Sequence, residues 1–137
     1  MLLYDEDLYL WTKHFSKAIR DGTLDPAEWE NVAEEIEGIG VRDALALSKL
    51  LGRIISTMLR LKHQADQPMT DLLKALIGHD RIALQVILEC SPSLYDKAKD
   101  KVQRAYETAL PWHELENDLP ESEPPPPCPV AFKEIIG

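Results

Sequence analysis

Glu30, Glu34 and Glu37 are the residues whose type and spacing come nearest to chemistry. They stand in the stretch WENVAEEIEGIG, on one flank of an apolar helical face formed by Trp29, Val32, Ala33 and Ile36; Glu28 and Glu35 lie on the other flank. Carboxylates placed this way are how helical bundles hold hard or di-iron metal ions, usually with a Glu-x-x-His pair from each facing helix. No Glu-x-x-His occurs in the chain, so a metal site would need a separate histidine. His63, in RLKHQ, is the first candidate, with His14, His79 and His113 on other predicted helices. The simpler reading is internal. The glutamates then pair with Arg42, Arg53 or Arg60, or are hydrated, and His63 is an end-of-helix residue favoured by the C-terminal dipole. That reading is preferred. No catalytic residue, metal or cofactor is assigned, and Glu30, Glu34, Glu37 and His63 stay as the only site candidates.

Other reactive residues offer less. The chain has no Gly-rich phosphate loop, no His-Glu-x-x-His helix and no nucleophile elbow. Cys90 falls on or near an apolar face, where a buried thiol acts as a small hydrophobe. Cys128, beside Pro129 at a predicted helix start, is where a thiol pKa is lowered, but no base stands next to it. Trp11, Trp29 and Trp112 read as core anchors, since no basic residues interleave with them.

The elements that position these residues are helical. A first helix is predicted over about Asp5 to Arg20, stopped by Asp21-Gly22. Asp25-Pro26 reads as an N-cap followed by proline, opening the acidic helix that Gly38 and Gly40 should end or kink. From Val41 to about Ala65 the apolar residues Ala44, Leu47, Leu51, Ile54, Met58 and Leu61 alternate spacings of three and four. Leu45, Leu50, Ile55 and Leu59 widen that stripe, which predicts a central helix touched by several neighbours. Pro68 restarts the chain into a helical stretch over 69–90, with an interruption expected at Gly78-His79. Ser91-Pro92 repeats the cap-then-proline device for a fourth long helix ending at Pro111, with Lys97, Lys101 and Arg104 as a solvated basic stripe. Residues 114–127 are acidic and proline-rich and read as a polyproline II spacer. Cys128-Pro129 starts a short apolar helix. The predicted class is all-α: a compact bundle of four to five helices. Its organisation is a helical core domain over 1–113, a linker over 114–127, and a C-terminal helix over 128–137 that docks on the core or on a neighbouring subunit.

Composition narrows the function classes. The 137 residues carry a formal charge of −9 with two cysteines, which suits one small acidic domain without a disulfide framework. The charge is unevenly placed: −7 over residues 1–40, +3 over 41–113 and −5 over 114–137. A net acidic chain is a poor candidate for nucleic-acid binding by phosphate neutralisation. No uncharged apolar run approaches the roughly 18 residues a membrane span needs, and the acidic N-terminus is unlike a secretory signal. A cytoplasmic location is expected. The acidic ends are expected to lie over the basic middle of the same chain.

Several of these pieces in this order resemble one family. They are YDEDLYLW (Tyr4 to Trp11), WENVAEEIEGIG (Trp29 to Gly40), RLKHQ, the SPSL of Ser91 to Leu94, and the late LPE followed by Cys128-Pro129. Together they are similar to the bacterial family catalogued as domain of unknown function number twenty-nine, across nearly the whole chain. Met69 and Asp80-Arg81 stand where the family pattern usually differs. The resemblance implies an all-helical protein and brings no catalytic residues with it. The leading functional expectation is therefore a non-catalytic protein that works by self-association or by binding a protein partner. The alternatives are an acidic antidote-like protein covering a basic partner, and a metal-dependent helical enzyme using the acidic helix.

Overall fold

The computed structural model describes residues 3–63 and 66–137. All regular structure among them is helical: α1 (Leu3–Glu6), α2 (Leu8–Asp21), a 3-10 turn (Pro26–Glu28), α3 (Trp29–Lys62), α4 (Gln67–Cys90), α5 (Leu94–Glu116) and α6 (Phe132–Ile136). The chain divides into two units, Met1–Arg42 and Asp43–Gly137.

In the first unit the helix predicted from Asp5 is divided. Asp7 is extended, and its carboxylate accepts the Leu10 amide at 2.9 Å, so it caps α2 and separates it from α1. Gly22, at φ 71°, ends α2 in the left-handed conformation, with backbone N–H groups turned back to Ala18 and Ile19. Asp25 accepts the Ala27 amide at 3.0 Å and Pro26 follows, as the sequence predicts. Gly38 and Gly40 do not end the helix they were expected to end, for α3 runs through both. Glycine weakens a helix interior by about 1 kcal/mol, less than is recovered by the buried face of α3 that follows, from Leu47 to Leu59. Trp11 is the buried centre of this unit. Its ring meets Tyr4 edge-on at 4.8 Å and Phe15 at 5.4 Å, and its indole N–H donates to Glu28 at 3.2 Å.

The second unit holds a continuous core. Leu47, Leu51, Ile54 and Ile55 of α3 pack with Ile77 and Leu84 of α4 and with Ala98, Val102, Tyr106 and Leu110 of α5. The end of the central helix expected at Ala65 lies outside the described residues; Lys62 is the last helical residue described before it. Asp66 accepts the Met69 amide to start α4, which passes Gly78-His79 without interruption. Ser91 closes α4 rather than opening α5, which begins at Leu94. Pro111 lies inside α5 and does not end it. Its missing N–H and ring cost about 3 kcal/mol in a helix interior. Both Pro111 and Glu107, four residues earlier, are exposed, so the break falls on the outer side of the helix, while Leu110, His113 and Glu114 on the buried side hold it.

Beyond α5 the proline-rich stretch is pinned at several points. Glu114 accepts the Ser122 amide at 2.8 Å; Gln103 donates to the Pro126 carbonyl and accepts the Cys128 amide. Ile135 of α6 is fully buried in the core, and the Arg81 guanidinium donates to the Glu134 and Ile135 carbonyls.

Candidate functional site

The acidic helix is engaged with tyrosine rather than with arginine. Tyr4 Oη donates to Glu35 at 2.8 Å and to Glu34 at 3.2 Å. The hydrogen bond to Glu35 is the chief reason its pKa is pushed up to about 12, with desolvation and the two carboxylate charges adding to it. Glu30, Glu34 and Glu37 are exposed. Of the arginines expected to meet them, Arg53 pairs with Asp80 at 3.0 Å and Arg60 reaches Glu116 at 4.0 Å, while Arg42 makes no ion pair among the described residues. His63 belongs to the second unit, in the turn after α3, and its ring stands 5.0 Å from that of His113. Burial, and secondarily the His63 charge, holds the His113 pKa below its ordinary value against the opposing pull of Glu116 and Glu114. Among the described residues no group of three His, Cys, Asp or Glu is arranged to hold a metal ion.

Two other expectations are corrected. Cys128 is half-buried against the core with its thiol turned to the Val130 carbonyl, whereas Cys90 is exposed. Of the three tryptophans only Trp11 is a core anchor. Trp29 is 55% exposed and Trp112 67% exposed.

Trp112 marks the most site-like surface. It lines a groove of about 880 Å³ between α3 and α5. One wall is the α3 face of Leu45, Ser48, Gly52 and Ser56; the other is the α5 face of Ala105, Thr108, Ala109 and Trp112. Both walls follow the three-and-four spacing of a single helix face, so the groove runs along the two helices. Its floor is made of small residues, which lets a third backbone come close. Lys49, Arg53, Lys101 and Arg104 rim it, with Glu116 as the one acid in the lining. Lys101 Nζ is steadied by Ser48 Oγ at 3.3 Å, and Arg53 by the buried Asp80. Two residues of the basic stripe, Lys101 and Arg104, are thus half of a cationic rim, while Lys97 is exposed outside the lining. The sequence signal for it was the coincidence of small residues with Lys and Arg at helical spacing on two helices. Nothing in the linear order says that those two helices lie side by side. A second, smaller cleft of about 370 Å³ lies in the first unit beside His14, Asp21 and Glu28.

The fold and groove define a class: an all-helical protein with a cationic, small-floored groove between two long helices. Within that class, the chain belongs to the family described as Domain of unknown function DUF29, whose model matches residues 3–137. No curated protein and no solved structure matches it. No helix among the described residues is long and apolar enough to cross a membrane.

Proposed function

We propose that this protein is a non-catalytic helical binding protein whose working surface is the α3/α5 groove, and that its ligand is an acidic amphipathic helix. The observation that carries this reading is the groove itself. A floor of Gly52, Ser48, Ala105 and Ala109 admits a helix at close range, an exposed Trp112 offers an aromatic anchor, and four basic residues surround them. Helix-in-groove recognition needs this combination of apolar channel and flanking charge. Exposed tryptophan and arginine are the residue types that most often carry binding energy. The two free cysteines fit a reducing compartment, so a cytoplasmic location is part of the same proposal.

Fluorescence anisotropy of a labelled, designed acidic amphipathic helix of about 15 residues, titrated with the full chain, tests it. Saturable binding is expected, weakened by added salt and lost by at least about tenfold in the double variant Lys101→Glu, Arg104→Glu. Equal binding by that variant and by the wild-type chain would refute the groove reading.

A further inference from the structure

The last turn of α5 is set apart from the rest of that helix. Pro111 has no N–H to give the Glu107 carbonyl, so the backbone ladder is broken just before residues 112–116. Trp112 and Glu116 are the two groove-lining residues beyond the break. That end of the groove therefore depends on what holds the turn, whose buried residues are His113 and Glu114. Glu114 accepts the Ser122 amide from the chain that follows, whereas His113 faces the end of α3, its ring 5.0 Å from that of His63. The hydrogen bonds around His113 decide where a proton can go. Asn117 Nδ2 donates to the His113 carbonyl at 2.9 Å and stands 3.2 Å from His113 Nδ1, so one NH2 group serves both. Turning the amide over would set its oxygen against the carbonyl oxygen. Nδ1 is therefore the acceptor, and the neutral ring carries its proton on Nε2. A second proton has to enter at Nδ1, where it meets the Asn117 N–H. The charged groups facing the ring are His63 and Lys62 from α3 and Glu116 and Glu114 from α5. Burial first, then His63 and Lys62, oppose the charged ring, and the two carboxylates only partly offset them.

We propose that the last turn of α5 is a proton-released latch on the Trp112 end of the groove: neutral His113 holds it against α3, and a proton on His113 frees it. The inference rests on the groove reading above and adds its regulation, for the groove then takes its ligand at neutral pH and gives it up in acid. A charged His113 loses the Asn117 hydrogen bond at Nδ1 and is repelled by Lys62 and by any charge on His63. Asn117 is also the C-cap of α5, its backbone N–H returning to the His113 carbonyl, so the cap is disturbed at the same moment. The break at Pro111 lets the turn loosen while the helix before it stays held by Val102, Tyr106 and Leu110 in the core. Trp112 and Glu116 move with the turn, and the groove loses its aromatic anchor.

Probe binding, amide exchange and two variants test this on the full chain. Between about pH 7.5 and about pH 5.5 the carboxylates of the designed acidic helix stay ionised, and the lysines and arginines of the rim do not titrate. Over that range the dissociation constant of the probe should rise about tenfold for the wild-type chain. For His113→Gln, which keeps an acceptor for Asn117 and takes no proton, it should rise less than about twofold. Protection factors, corrected for the intrinsic pH dependence of exchange, should fall over residues 112–117 and hold over 94–110. His63→Gln removes a charge that opposes protonation, so release should move toward neutral pH. Equal binding at both pH values overturns the latch and leaves the groove reading standing. So does a pH dependence that His113→Gln retains, a loss of protection shared by 94–110, or a release that His63→Gln leaves in place. Absence of saturable binding at about pH 7.5 strikes the groove reading instead. The latch itself is then upheld if acid lowers protection over 112–117 in the wild-type chain and not in His113→Gln, and is overturned otherwise.

Discussion

Thirteen of the fourteen buried apolar residues described belong to Asp43–Gly137, and one, Trp11, to Met1–Arg42. The large apolar residues left exposed are shared quite differently, for eight of seventeen come from the first unit, which is less than a third of the chain. A segment of about 40 residues rarely builds a self-sufficient core without a staple or a partner. The second unit has solved that problem internally, with α3, α4, α5 and α6 all contributing to one buried apolar cluster. The first unit relies on one indole and a few polar contacts, and it exposes an ordered row of apolar side chains. The difference teaches which unit carries the stability and which carries the surface that something else must cover.

The largest effect expected from breaking that contrast is in the core. Leu51 is fully buried, so Leu51→Ala should cost about 2–5 kcal/mol through lost transfer energy and the cavity left behind. Ile36→Ala truncates a residue of similar size that is 64% exposed, and should change monomer stability by no more than about 0.5 kcal/mol. Urea denaturation at concentrations too low for association measures both. Equal costs would mean that Ile36 is covered within the monomer.

A middle-sized effect follows from the sign of the His113 shift. Its folded-state pKa is lowered, chiefly by burial, so the unfolded chain binds the extra proton more readily. Its contribution is therefore complete above the ordinary value of 6.5 and is lost as pH falls from there through the lowered folded pKa. His113→Gln should flatten the fall in Tm between about pH 7.5 and pH 5 relative to wild type. An unchanged slope would place the acid sensitivity elsewhere.

The extent to which the sequence was legible follows the same division. Local rules held where one residue acts on its neighbours. The stop at Gly22, the cap at Asp25 and the wide apolar stripe of α3 were all readable, because each depends on backbone geometry or period alone. They failed where a distant contact outweighs a local preference. Gly38, Gly40, Gly78 and Pro111 look like breaks but sit inside helices whose other faces are held. Asp80-Arg81 was visible only as a departure from a pattern. It proves to be a buried carboxylate that fixes Arg53 and a guanidinium that clasps α6, neither of which has a signature in linear order. The site was least legible of all. Tryptophan spacing cannot distinguish a core anchor from an exposed one, and the groove exists only once α3 and α5 are neighbours.

The smallest predicted effect is also the sharpest probe of whether the units are anchored separately. Tyr4→Phe keeps the ring that meets Trp11 edge-on at 4.8 Å and removes only the hydroxyl shared between Glu35 and Glu34. The raised pKa of about 12 means that this hydroxyl is protonated at neutral pH; its contribution is whole below pH 10 and is lost only as pH rises through about 12. At neutral pH the variant should therefore lose one donor and no charge. Amide exchange should quicken over Leu3–Glu6, because the hydroxyl is what ties that single helical turn to α3. Exchange across Leu47–Leu59 should not change, since those amides are protected by the core of the other unit. If protection there falls too, the acidic helix and the core open together, and the contrast between a stable unit and a dependent one does not hold.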